Sequence, residues 1–138
     1  MMKTYAIPII SFIWFLGGCA PELDPALVKQ QQILLERIQT REFDTDDKRM
    51  MMRGVISTFQ DLSFIINNAD AELGTITAKR FGEYPIEMTV AIRSISKTQM
   101  LVHGIARYNS KTIEDPATYE QFFSSLQKAI LLTGHPVN

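Results

Sequence analysis

Met52, Val55, Ile56 and Phe59 stand at i, i+3, i+4 and i+7, the spacing that gathers apolar side chains on one face of an α-helix. Asp44 can cap such a helix, and Asp46 and Asp47 suit the positive end of its dipole. The pattern predicts a first helix over 46–62. Ahead of it, ERIQTREF (36–43) partly alternates and runs into the acidic cluster, which reads as a strand passing into the start of the helix. Behind it, residues 63–67 read as a short strand, and Asn67-Asn68-Ala69-Asp70 as turn chemistry.

Two alternating stretches follow. In LGTITAKRF (73–81), Ile76 and Ala78 lie on one side, with Thr75, Thr77 and Lys79 on the other, until Gly82-Glu83-Tyr84-Pro85 breaks the run. Ile86, Met88, Val90 and Ile92 then alternate with Glu87, Thr89, Ala91 and Arg93, the cleanest half-buried strand in the chain. Residues 96–99 turn the chain back into a strand over 100–108. Its small Gly104 and Ala106 would let a helix come close if, with Val102, they face inward. Asp115-Pro116 reads as an N-cap followed by the first helical position, where proline has no amide hydrogen to lose. Tyr119, Phe122, Phe123, Leu126 and Ile130 recur at helical spacing, and Gly134 with Pro136 supplies the stop.

The order β-α-β-β-β-β-α predicts a two-layer α+β domain over 34–138. It has an antiparallel sheet of about four to five strands with two helices on one face, the other face being left to water or a partner. The alternation places Lys79, Arg93, His103 and Arg107 on that open face, beside Thr75, Thr77, Thr89 and Glu87. Leu101 and Ile105 fall between those charges, an arrangement suited to an apolar contact with a polar rim. Lys79, Arg93, Leu101, His103, Ile105 and Arg107 are therefore the expected docking residues.

Composition narrows the classes. With 46% hydrophobic and 21% charged residues the chain is globular rather than disordered, and a net charge of −1 gives no electrostatic footprint for nucleic acid. The first residues change the picture more. Lys3 precedes a run from Ala6 to Leu16 that is apolar but for Ser11, small residues follow, and no acid occurs before Glu22. This is the layout of an export signal over 1–18. The run contains Pro8 and falls short of the ~20 apolar residues a spanning helix needs.

At the end of that run Leu16-Gly17-Gly18-Cys19 resembles the lipobox of bacterial lipoproteins, and Cys19 is the only cysteine. The resemblance implies that Cys19 receives a diacylglyceryl group, that cleavage before it releases the signal, and that the new amino terminus is acylated. It implies a protein tethered in the cell envelope, not one that spans the membrane. Ala20 rather than Asp after Cys19 resembles the default of transfer to the outer membrane, facing the periplasm. Residues 19–33, where Pro21 and Pro25 bar an early helix and a run of glutamines follows, read as a tether with helix, if any, only near its end. Modification of Cys19 removes the one thiol, and so excludes a disulfide framework and cysteine catalysis.

A second resemblance covers most of the mature chain. Gln39-Thr40-Arg41-Glu42-Phe43-Asp44-Thr45, Phe59-Gln60-Asp61-Leu62-Ser63-Phe64 and Leu73-Gly74-Thr75-Ile76-Thr77-Ala78-Lys79 resemble blocks of the form QTR-x-F-D-T, LQD-x-GF and LG-x-I-x-A-x-K in a family of small uncharacterised bacterial envelope lipoproteins. Phe59 and Ser63 depart from that pattern, the latter where a glycine turn is expected between helix and strand. The topology is also similar to the helix-grip modules of envelope assembly lipoproteins. Both resemblances imply fold and location, and neither implies an activity.

Reactive constellations are scarce. Asp44, Asp46 and Asp47 have the spacing of a calcium loop, but Arg49 replaces its glycine and Val55 its last carboxylate, so they read as helix capping. Asn68, Asp70 and Glu72 fail the same test at Leu73 and read as a solvated turn. His103 and His135 have no partner at metal-ligand spacing, and His103 has no nucleophile motif beside it. The seven glycines form no phosphate loop. Tyr119, Phe122 and Phe123 could line a ligand cavity, although core packing accounts for the same spacing. The sequence thus predicts no cofactor, no metal and no enzymatic activity. It leads to a lipid-anchored interaction or accessory module of an envelope assembly or transport system, with a protein partner. The alternatives are a small carrier of a lipid or other apolar ligand, and then an envelope enzyme without a recognisable motif.

Overall fold

The computed structural model describes residue 18 and residues 24–133. The export signal up to Gly17, which includes Trp14, and Cys19, His135 and the Gly134/Pro136 stop lie outside the described residues.

The chain runs α1 (Pro25–Gln39), β1 (Thr40–Phe43), α2 (Lys48–Asp61), β2 (Ile65–Asp70), β3 (Thr75–Arg80), β4 (Ile86–Ser94), β5 (Met100–Tyr108), β6 (Lys111–Thr112) and α3 (Pro116–Thr133). All strand pairings are antiparallel, in the order β1-β5-β4-β3-β2, and β6 adds to the end of β5 beyond β1. The architecture is the α+β sheet with α2 and α3 on one face that the alternation predicted, with an additional helix and a short sixth strand.

That helix corrects the reading of the segment ahead of β1. Pro25 begins α1 instead of barring it, because the first helical position needs no N–H and Asp24 caps the end, its Oδ1 accepting from Ala26 N at 3.0 Å. Residues 25–33 of the expected tether are therefore helical. The expected strand from Glu36 starts only at Thr40, because Leu34, Leu35 and Ile38 continue the helical spacing. Likewise Asp47, not Asp44, caps α2, accepting from Met50 N at 2.9 Å, while Asp44 accepts from Gln99 Nε2 at 3.0 Å.

Asn67–Asp70, expected as a turn, belong to β2, whose register slips at Ile66/Asn68 in a β-bulge. The turn comes after them: Asp70 Oδ1 accepts from Glu72 N and Leu73 N, both at 3.0 Å, and Gly74 takes φ 73°. A Cβ on Gly74 would stand 2.4 Å from the Ile92 carbonyl, so only glycine fits there. β6 follows a turn in which Asn109 and Ser110 both have positive φ, the conformation of a two-residue hairpin loop. Two residues are too short to show an alternation.

The core lies between the helices and the inner sheet face. Ile76, Ala78, Met88, Val90, Ile92, Met100, Val102 and Ala106 meet Met51, Val55 and Phe59 of α2 and Tyr119, Phe122, Phe123 and Leu126 of α3, all buried. The aromatic stripe of α3 is thus core: Phe59 and Phe122 are 5.3 Å apart between ring centroids, as are Phe122 and Phe123. Arg41 and Arg80 place their guanidinium groups 5.1 Å over Phe123 and 5.0 Å over Phe64, closing the aromatic cluster from two strands. Gly104 does face inward, and a Cβ there would meet Met88 Cε at 2.8 Å.

Candidate interaction surface

The strand register converts the outward alternation into a grid. One row across the sheet is Ile65, Lys79, Glu87 and Arg107; the next is Asn68, Thr77, Thr89 and Ile105; then come Asp70, Thr75, Ala91, His103 and Thr40. Arg93, Leu101 and Glu42 complete it. All six expected docking residues, Lys79, Arg93, Leu101, His103, Ile105 and Arg107, share this face, because period-two alternation puts them opposite the buried set.

Their neighbours differ. Lys79 Nζ pairs with Glu87 Oε2 at 3.5 Å, both side chains well solvated, so the pair contributes little to stability. His103 Nδ1 is 2.9 Å from Thr40 Oγ1, which ties the ring to β1. Thr77 and Thr89 hydroxyls are 3.3 Å apart across β3 and β4. Arg93 and Arg107 are exposed, whereas Leu101 and Ile105 are half-buried.

Two shallow hollows bracket the centre. One, of about 240 Å³, is lined by Glu87, Thr89, Ile105 and Arg107; the other, of about 400 Å³, by Glu36, Thr40, Ala91, Arg93, Leu101 and His103. Each has an apolar floor flanked by an arginine and a carboxylate. Such a surface can accept hydrogen bonds, ion pairs and a small apolar contact from a protein. Among the described residues no His, Cys, Asp and Glu cluster could hold a metal ion.

Sequence reading missed one surface. Leu27, Val28, Leu34, Leu35 and Ile38 form a stripe along α1, beside a groove of about 710 Å³ that also touches Glu114 and Pro116. The signal was present as the spacing i, i+1, i+7, i+8 and i+11. The prolines and the glutamine run obscured it.

Comparison of the chain with models of protein families and with characterised proteins finds no match.

Proposed function

We propose that the protein is a bacterial envelope lipoprotein, held to the membrane through acylated Cys19, most simply at the outer membrane facing the periplasm. Its α+β domain serves as a non-catalytic docking module for a protein partner. The observation that carries the docking role is the open sheet face. It has two exposed arginines that make no ion pair among the described residues, and they flank the half-buried apolar pair Leu101 and Ile105. That combination of apolar centre and charged rim suits a reversible protein contact.

The packing of the interior favours docking over the carrier reading. A carrier needs an apolar cavity between its layers, whereas here Phe59, Phe64, Phe122 and Phe123 fill that space in mutual contact.

The test is photo-crosslinking in the envelope of a bacterium that makes the protein. A photoreactive side chain at Thr89 should yield a discrete protein adduct, one at the helix-layer position Arg53 should not, and reversal of Arg93 and Arg107 to Glu should reduce the Thr89 adduct. An equal yield from both sites, or an adduct indifferent to the double reversal, removes the sheet face as the docking site.

A further inference from the structure

Among the described residues nothing fully covers the apolar face of α1. Ile38 packs against the core, and Val28 and Leu35 are half-buried. Leu27 and Leu34, however, are 56% and 59% exposed. At 100° per residue these five side chains and Gln31 share one side of the helix.

Chain length decides what can cover it. From Cys19 to Pro25 the backbone extends no more than about 23 Å at 3.8 Å per step. If Cys19 carries acyl chains in the bilayer, α1 starts within that distance of the lipid headgroups, at a standing effective concentration no free ligand can match. We propose that α1 lies on the membrane surface with Leu27, Val28, Leu34 and Leu35 in the interface, an inference that rests on the acylation of Cys19 proposed above.

The helix has the attributes of an interfacial segment. No helix among the described residues is long and apolar enough to cross a membrane, and α1, at 15 residues, is about 22 Å long. Of its ionised side chains, Lys29 and Glu36 lie on the side away from the apolar stripe, while Arg37 flanks it and lines the same groove, where a long cationic side chain can keep its head in the polar layer. Pairing with α1 of a second copy fits less well. The stripe covers about two heptads with Gln31 in its seam, where a stable coiled coil usually needs three or four.

The arrangement also orients the domain. Glu36 projects from the side of α1 opposite the stripe and lines the same hollow as Arg93 and His103. With the stripe on the lipid, the open sheet face turns away from the membrane, toward the space a protein partner occupies.

The sequence offers a clean probe, because its single tryptophan, Trp14, lies in the segment removed with the signal. The full-length Leu34→Trp variant, purified from membranes and reconstituted into phosphatidylcholine–phosphatidylethanolamine vesicles, should lose roughly half of its tryptophan emission when the acyl chains are brominated near the headgroup. Thr89→Trp, on the open sheet face, should be unaffected. Intact mass of the same preparations records the acyl chains independently. An acylated Leu34→Trp protein quenched no more than Thr89→Trp overturns the membrane-lying helix and leaves the anchor standing. Crosslinking between two copies at position 34 without lipid quenching assigns the stripe to a dimer and also overturns it. A protein recovered without acyl chains overturns both this inference and the reading it rests on.

Discussion

Gln39 and Tyr119, 80 residues apart in the chain, meet in the interior, where the Gln39 side-chain amide donates to the Tyr119 hydroxyl at 3.1 Å. That hydroxyl also accepts from Ala106 N at 3.3 Å and donates to the Ile113 carbonyl. One oxygen therefore joins the end of α1, the middle of β5, the approach to α3 and α3 itself. Tyr119 is fully buried and Gln39 nearly so, so these groups have no water to fall back on.

Tyr119→Phe should accordingly destabilise the domain by about 1–3 kcal/mol, the cost of leaving buried polar groups without partners. Denaturant unfolding measures it. Gln39→Leu combined with Tyr119→Phe should cost less than the two single changes added together, because neither residue then strands the other. An unaltered midpoint for Tyr119→Phe would show that the hydroxyl ties nothing together.

The aromatic cluster provides a larger effect. Phe59→Ala or Phe122→Ala should each cost ~3–5 kcal/mol, since both rings are buried in mutual contact. Against a whole-domain stability of about 5–15 kcal/mol this is enough to populate the unfolded chain. Wild-type melting of both variants would mean that the layers do not close over these rings.

Ser63 offers a change in the opposite direction. It follows α2 with φ 67°, donates its N–H to Gln60 O at 3.1 Å, and leaves Phe64 N to reach Phe59 O at 2.8 Å. The Phe59 and Phe64 rings then meet at 5.2 Å, completing a left-handed helix stop with its hydrophobic contact. Serine pays a steric cost in that conformation, so Ser63→Gly should raise stability by about 0.5–1 kcal/mol after the added freedom of the unfolded chain is counted. A lower melting temperature for Ser63→Gly would overturn this assignment.

Arg93→Glu and Arg107→Glu should change stability by no more than about 0.5 kcal/mol each, as solvated surface positions do. Thermal melting of each variant separates an effect on docking from an effect on folding. A large loss of stability in either would place that arginine in a structural role.

What could be read ahead of the structure followed the strength of periodicity. β4 was legible to its ends because Met88, Val90 and Ile92 alternate with solvated residues without interruption. The open face followed directly, since register carries Lys79, Arg93, His103 and Arg107 to one side once β3, β4 and β5 pair. The start of α1 was not legible, because Pro25 reads as a breaker unless its place at the first helical position, with Asp24 as cap, is known, and helix was expected at most near the end of the tether. The stop at Ser63 was legible in place, since the helix was expected to end at 62, but not in kind, because the backbone adopts a glycine conformation with a serine there. β2 escaped because Asn67 and Asn68 favour turns, and only pairing with β3 across a bulge makes them strand. The Gln39–Tyr119 bond, joining residues far apart in sequence, leaves no local trace.

The most direct test of the account is the intact mass of the protein extracted from membranes of a bacterium that expresses the full chain. The account requires a polypeptide beginning at Cys19 and carrying a diacylglyceryl group and a further acyl chain, with Cys19→Ser leaving an unprocessed or mislocalised precursor. A normally anchored Cys19→Ser protein, or a mature chain that begins elsewhere without acyl groups, would contradict it.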